Sequence, residues 1–263
     1  MKCMQKLEAE VVASIRIGLD ICLLRLKAPA IAATARPGQF VHLRCGEGLD
    51  PLLRRPLSIH DSGDGELTLF YQVKGRGTAW LSRQHPGSKV DLLGPLGRGF
   101  TLVSGRRLAL VAGGLGMAPL FFLARQAREL GNEVDFFYGA RNSRGLHRLE
   151  ALEDLGIRLF IATDDGSAGF RGPVTALWEK QLKDNHYDRA YACGPRPALA
   201  AFARLAAAAA VPAEVSLEER MACGFGACRG CVTALRDSRR EKYYENVCTG
   251  GPVFDAAAVC WEG

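Results

Sequence analysis

The sequence predicts an antiparallel β barrel, then an α/β domain built on a parallel sheet, then a small C-terminal iron-sulfur subdomain. Three observations carry this prediction. Strand-like runs at 9–17, 39–44 and 66–73 are separated by Gly, Pro and Asp turns, the pattern of a small antiparallel barrel. Beyond residue 100, strand-like and helix-like segments alternate, which predicts a parallel sheet covered by helices. From Val215 onward that periodicity fails and Cys and Gly dominate. The expected segments are 1–100, 101–213 and 214–263. A chain of 263 residues, 48% hydrophobic, is long enough for two domains and an appendage.

Within the first segment the barrel rhythm ends at Gly94-Pro95-Leu96-Gly97-Arg98-Gly99-Phe100. The sheet then opens with a strand at 107–111, a helix at 118–130 and a strand at 134–138. Strands at 158–163 and 189–192 continue it, with helices at 174–182 and 198–210, the last completed by strong helix-forming alanines. No internal repeat is visible.

Composition narrows the function. Net charge is +6, but basic residues come in pairs such as Arg106-Arg107 and Arg239-Arg240, so a solvated surface is expected and nucleic acid is not. No apolar run approaches the roughly eighteen residues a membrane span needs, and residues 1–10 mix charges of both signs, so no membrane or signal segment and a cytoplasmic location are expected. Of nine cysteines, Cys3, Cys22, Cys45, Cys193 and Cys260 are scattered, whereas three of the others share one short segment. In a reducing compartment such clustering points to metal instead of disulfides.

Cys223, Cys228 and Cys231 have the C-x4-C-x2-C spacing of plant-type ferredoxin loops, and Cys248 offers a fourth thiolate. Glycines 224, 226 and 230 suit a loop that turns several sulfurs inward while presenting backbone N–H groups. Soft thiolates also bind zinc, although structural zinc sites pair their ligands in short knuckles, and a redox disulfide is a further alternative. Cys260 reads as a buried small hydrophobe.

The strand at 107–111 runs into Ala112-Gly113-Gly114-Leu115-Gly116 and then into an apolar helix. Strand, glycine turn and helix place backbone donors and a positive helix end toward a pyrophosphate. The competing reading is a tight turn in which glycine only permits close packing. A second strand ends in Cys193-Gly194-Pro195 and also opens a helix, so two strand ends converge where parallel sheets bind ligands.

Arg55-Pro56-Leu57-Ser58 in the barrel, then Gly77-Thr78, then the glycine turn and Cys193-Gly194-Pro195, follow the order of the ferredoxin-NADP reductase-like superfamily, which this chain resembles. The tail narrows the match. The run from Ser216 to Gly224 (S-L-E-E-R-M-A-C-G), Val247-Cys248 and Gly251-Pro252-Val253-Phe254 resemble the electron-transfer subunits of dihydroorotate dehydrogenase B, as do Gly94-Pro95-Leu96-Gly97 and the run from Thr163 to Ser167 (T-D-D-G-S). The resemblance implies FAD held by Arg55, Pro56, Leu57, Ser58, Tyr71, Gln72, Val73, Gly77 and Thr78, with Arg55 at the pyrophosphate and Ser58 near the reactive edge of the flavin. It implies NAD(H) at Gly113, Gly114, Leu115, Gly116, Cys193, Gly194 and Pro195, and a [2Fe-2S] cluster on Cys223, Cys228, Cys231 and Cys248.

A nicotinamide delivers two electrons as hydride and a cluster accepts one, so a flavin between them converts one kind of transfer to the other. Hydride transfer needs no general acid or base, and the five histidines have no ligand spacing and are assigned no role. Cys193 and Glu219, with Ser58, are the candidates at the reacting edge, weighed against a packed thiol and an ordinary surface carboxylate. Arg141, ending the second sheet strand, could accept a 2′-phosphate, but the resemblance favours NADH. The expected partner is an FMN-containing dihydroorotate dehydrogenase catalytic subunit in a heterotetramer, contacted around Phe225, Arg229, Val253 and Phe254. The alternatives are a related reductase subunit serving ferredoxin, sulfite or hydrogenase chemistry, and a passive ferredoxin-like carrier or zinc-stabilised module.

Overall fold

A computed structural model describes residues 4–261, so Cys3 lies outside the described residues. Six strands close a barrel: β1 (Gln5–Arg16), β2 (Ile21–Lys27), β3 (Phe40–Leu43), β4 (Arg55–Gly63), β5 (Glu66–Gln72) and β6 (Lys89–Leu96), in the order β1-β2-β5-β4-β3-β6. Neighbours are antiparallel throughout. The alternation read from the sequence does its work in β5, where Leu67 and Leu69 are wholly buried and Thr68 between them is half-exposed. Short helices α1 (Pro29–Ala32) and α2 (Arg76–Leu81) follow β2 and β5. Three strands escaped the sequence pattern for local reasons. β2 opens with four consecutive apolar residues, β4 begins with Arg55-Pro56, and β6 carries Gly94-Pro95, where the rhythm had seemed to end.

The second unit holds β7 (Arg107–Gly113), α3 (Met117–Glu129), β8 (Glu133–Ala140), α4 (Leu149–Glu153), β9 (Arg158–Thr163), β10 (Phe170–Arg171), α5 (Val174–Leu182), β11 (Arg189–Cys193), α6 (Arg196–Ala208) and β12 (Ala213–Ser216). The tail adds β13 (Val232–Arg236), β14 (Lys242–Asn246) and β15 (Val253–Asp255). One sheet runs β10-β9-β8-β7-β11-β12-β15, parallel except for β15 at its edge. β13 pairs with β14 as a separate ribbon. The sheet thus continues to Ser216 and recruits a strand from the tail, past the expected end at 213, because edge strands are defined by their pairing partners and not by their own period.

Packing anchors the sheet at the amino ends of its strands. Asp135 is wholly buried and accepts two hydrogen bonds from Arg158, at 2.6 and 2.5 Å, and one from Tyr187 at 2.7 Å. A buried carboxylate is tolerable only when satisfied in this way. Trp178 of α5 stacks on Phe202 of α6 with ring centroids 4.7 Å apart. The carboxyl ends of β7 and β11 are left for glycine-rich turns.

By compactness, residues 1–99, 218–233 and 245–252 form one unit and residues 100–217, 234–244 and 253–263 the other. The barrel unit therefore contains all four of the clustered cysteines. No helix among the described residues is long and apolar enough to cross a membrane.

Candidate functional site

Three groups of residues carry the expected chemistry. The first is the cysteine loop. Cys231 and Cys248 are buried, and the backbone N–H of Val247 donates to the Cys231 carbonyl at 2.9 Å, which holds the two segments side by side. Cys223 is half-exposed and Cys228 exposed. The N–H of Cys228 points at Cys223 Sγ and that of Gly230 at Cys228 Sγ, each at 3.4 Å. Burial alone would raise the Cys223 thiol, but the amides of Cys228, Phe225 and Ala227 hold it down to about 6, while burial and the neighbouring Cys231 thiol push Cys248 up. Sulfurs faced by backbone donors are what a thiolate-ligated cluster requires, since those donors stabilise charge on sulfur. Among the described residues no three Cys, His or carboxylate groups converge on a single ion. A two-iron cluster asks for two thiolates at each iron instead of three or four at one point.

The second group lies on the barrel. Arg54 and Arg55 are adjacent in sequence but do different things. Arg54 is structural, donating to the carbonyls of His42 and Asp91 at 3.2 and 3.1 Å and pairing with the Asp91 carboxylate at 2.7 Å. Arg55 lies against Gly77, where an added Cβ would come within 2.8 Å of its Nε. A side chain at this position would displace the guanidinium. Thr78 Oγ1 accepts from the N–H groups of Lys74 and Gly75, at 2.9 and 3.2 Å, and closes the turn. A cation seated in a tight turn suits a diphosphate. Pro56, Leu57 and Ser58 continue the same strand, half-buried. Tyr71 departs from expectation, since its ring is buried inside the barrel, and the Gln72 amide is taken up by Asp20. Val73 is half-buried, and its backbone N–H donates to the Asp20 carbonyl at 2.7 Å.

The third group is the carboxyl end of the sheet. β7 and β11 are neighbours, with Ala112 opposite Cys193. A Cβ on Gly116 would sit 1.9 Å from the Cys193 carbonyl oxygen, and one on Gly194 would sit 3.1 Å from the Gly113 backbone. Pro195 lies 3.0 Å from where a Cβ of Gly113 would be. Gly116 is thus demanded by backbone packing, while Gly113 and Gly194 stand at close but less prohibitive contacts. Gly114 is different: its φ is +55° and nothing stands within 4 Å of an added Cβ, so that backbone is open to an approaching ligand. Leu115 leads from it into α3, whose first N–H, that of Met117, is taken up by the carbonyls of Gly114 and Leu115, so the open backbone lies at Gly114 itself and not at the helix start.

Other expectations are altered or left apart. Cys193 is buried, 1% exposed, at the end of β11. Glu219 is half-buried and belongs to the barrel unit, whereas Cys193 belongs to the sheet unit. Phe225 and Arg229 are exposed, but Val253 and Phe254 are buried in β15 and do not form surface, because the tail's last strand packs on the sheet. Cys260 is buried, as expected.

The sequence missed His42. It is wholly buried on β3, and its Nδ1 lies 3.2 Å from the Cys223 carbonyl oxygen. Burial, with Arg54 and Arg55 nearby, holds its imidazole down to about 4, so it is neutral near pH 7. No spacing rule could have found it, because its partner is 181 positions away.

Comparison with known proteins agrees with this geometry. The iron-sulfur cluster binding domain of dihydroorotate dehydrogenase B matches residues 218–260, which span all four clustered cysteines. The electron transfer subunit of dihydroorotate dehydrogenase B (NAD(+)) from Desulforamulus reducens is 42% identical over 97% of this chain and 98% of its own length. That from Geobacillus thermodenitrificans is 42% identical over 90% of this chain and 91% of its own length. Among solved structures, an NADH-dependent reduced ferredoxin-NADP oxidoreductase, studied for flavin-based electron bifurcation, superposes with a TM-score of 0.85 at 30% identity, covering 96% of this chain and 90% of its own. The ferredoxin reductase of carbazole 1,9a-dioxygenase gives 0.66 at 26% identity, over 80% of this chain and 67% of its own. With relatives 42% identical over nearly its whole length, the chain belongs to the family of dihydroorotate dehydrogenase B (NAD(+)) electron transfer subunits.

Proposed function

We propose that this chain moves electrons between NAD(H) and the FMN of a dihydroorotate dehydrogenase catalytic subunit, by way of FAD and a [2Fe-2S] cluster, in a cytoplasmic heterotetramer. The observation that carries the reading is one chain combining a cation-bearing barrel turn, a glycine-built sheet end and a four-cysteine loop, 42% identical over nearly its whole length to named electron transfer subunits. Segments 1–100, 101–213 and 214–263 would carry FAD, dinucleotide and cluster respectively.

Bound flavin supplies the conversion between hydride and single-electron transfer. The chain's own residues bind and orient. Arg55, with Pro56, Leu57 and the Gly77-Thr78 turn, would hold the FAD diphosphate, and Ser58 would lie toward the reactive edge. Tyr71, Gln72 and Val73 would support that site from the barrel wall. Gly113, Gly114, Leu115 and Gly116, with Cys193, Gly194 and Pro195, would present backbone donors to the dinucleotide. Cys223, Cys228, Cys231 and Cys248 would ligate the cluster. Cys193 and Glu219 keep their proposed place near the reacting edge.

The purified chain should show flavin and cluster absorbance, both bleached by NADH under anaerobic conditions, and should not oxidise dihydroorotate alone. Adding an FMN-bearing dihydroorotate dehydrogenase should couple dihydroorotate oxidation to NAD reduction. Turnover of dihydroorotate by this chain alone would defeat the proposal. The high TM-score to a ferredoxin-NADP oxidoreductase favours a second reading, in which a ferredoxin-type carrier is the partner. Cluster-dependent coupling to ferredoxin, with none to the dehydrogenase, would favour it.

A further inference from the structure

We propose that His42 is a positioning residue that fixes how the first cluster cysteine is presented, tying the cluster loop to the strand pair that carries the Arg55-Ser58 motif. The inference rests on the cluster reading above and adds a residue to it.

Four observations in the barrel unit converge on this imidazole. A carbonyl oxygen can only accept, so the 3.2 Å contact with Cys223 requires the proton on Nδ1. Gly224 has φ +80°, and a Cβ there would lie 2.4 Å from Nδ1 and 3.0 Å from Cε1, so the Cys223–Gly224 peptide rests directly on the ring. The backbone of His42 is held in turn, because Arg54 donates to its carbonyl and is itself paired with Asp91. Finally, His42 stands opposite Pro56 in the β3–β4 register, one residue from Arg55.

The geometry has a direct consequence for the ligand. The peptide after Cys223 is aimed by the imidazole, while the sulfur of Cys223 is aimed by the N–H of Cys228. Rotation of that peptide would move the sulfur. A histidine chosen for packing alone would be a poor choice, since Nε2 is buried with no hydrogen-bond partner and carries that cost. A leucine would fill similar space without it. The bond from Nδ1 is what offsets the buried acceptor.

The test uses the FAD- and cluster-loaded chain with His42→Leu and His42→Asn, the amide of Asn reaching the place of Nδ1. Wild-type iron and sulfide analysis checks separately that a cluster is present. Iron release to a chelator, the EPR spectrum of the reduced cluster and FAD content are then compared. His42→Leu should release iron about tenfold faster, the equivalent of ~1.4 kcal/mol for one hydrogen bond, and should shift the EPR spectrum while FAD content stays at the wild-type level. His42→Asn should restore both iron retention and spectrum. Unchanged release and spectrum in His42→Leu would overturn the proposal. So would an Asn variant indistinguishable from the Leu variant, since that would mean the ring serves packing only. Should His42→Leu fail to fold, the Asn variant decides alone: wild-type iron retention and spectrum support the role, and loss of either defeats it.

Discussion

The barrel and the sheet each carry a glycine-rich turn proposed to hold a nucleotide diphosphate, but they build it from different parts of the chain. On the barrel, Gly77 lacks a side chain so that the guanidinium of Arg55 can lie against the turn. The charge comes from a side chain, and the glycine makes room for it. On the sheet, Gly116 and Gly194 lack side chains so that two strand ends can pack backbone to backbone. There the proposed donors belong to the main chain of the turn. The barrel turn should therefore fail by loss of charge, and the sheet turn by gain of volume.

The severest way to break the comparison is to ask whether the barrel turn is independent of its own cluster loop. Cys228→Ser should abolish the cluster while FAD remains, because Arg55 and Gly77 touch none of the four cysteines among the described contacts. Iron analysis with flavin quantitation measures both, and joint loss would mean that the turn depends on the loop. Next in size is Gly116→Ala, whose Cβ meets backbone atoms of Cys193 at 1.9 and 2.3 Å. Backbone cannot yield as a side chain can, so the sheet unit should lose ~3 kcal/mol or more and NADH should no longer bleach bound FAD. Gly114→Ala, with open space around it, should cost only ~1 kcal/mol for its positive φ. Urea unfolding of the two variants measures the contrast, and equal destabilisation would refute the packing argument.

Arg55→Ala sharpens the other side. Removing a charge-assisted contact should weaken FAD binding by ~1.5–3 kcal/mol, roughly 10- to 150-fold, while Lys74→Ala should change it little. Equal FAD retention after gel filtration would contradict the assignment of charge to Arg55. The smallest effect concerns the cluster loop, which resembles the sheet turn in relying on backbone donors. With its thiol held down to about 6, Cys223 in the cluster-free chain should become thiolate between pH 5 and 7 instead of near the usual thiol range. Its alkylation by iodoacetamide should rise about tenfold over that interval and then level off. Continued steep increase above pH 7, read by mass spectrometry of the peptide, would show that the amides do not stabilise the thiolate.

Much of this was legible in the sequence because its signals are local. The C-x4-C-x2-C spacing states which thiolates share a loop, and strand–glycine–helix at 107–129 states where the first sheet strand turns into its helix. Both depend on residues a few positions apart. β4 and β6 were less legible, since Arg55-Pro56 reads as lying between strands and Gly94-Pro95 as the end of the barrel rhythm, and barrel closure overrides those local readings.

By itself the sequence determined the order of the barrel, sheet and cysteine loop, the proposed ligand set and the glycine turn, since those are properties of short segments and their periods. Tertiary structure decided the rest. It separated Arg54, which staples strands, from Arg55, which sits at the turn. It buried Val253 and Phe254 in a sheet edge that their own sequence does not announce. It also set His42 beneath Cys223. Each of these depends on which distant segment packs alongside, and that is settled by burial and pairing across the whole chain, for which neighbouring residues carry no code.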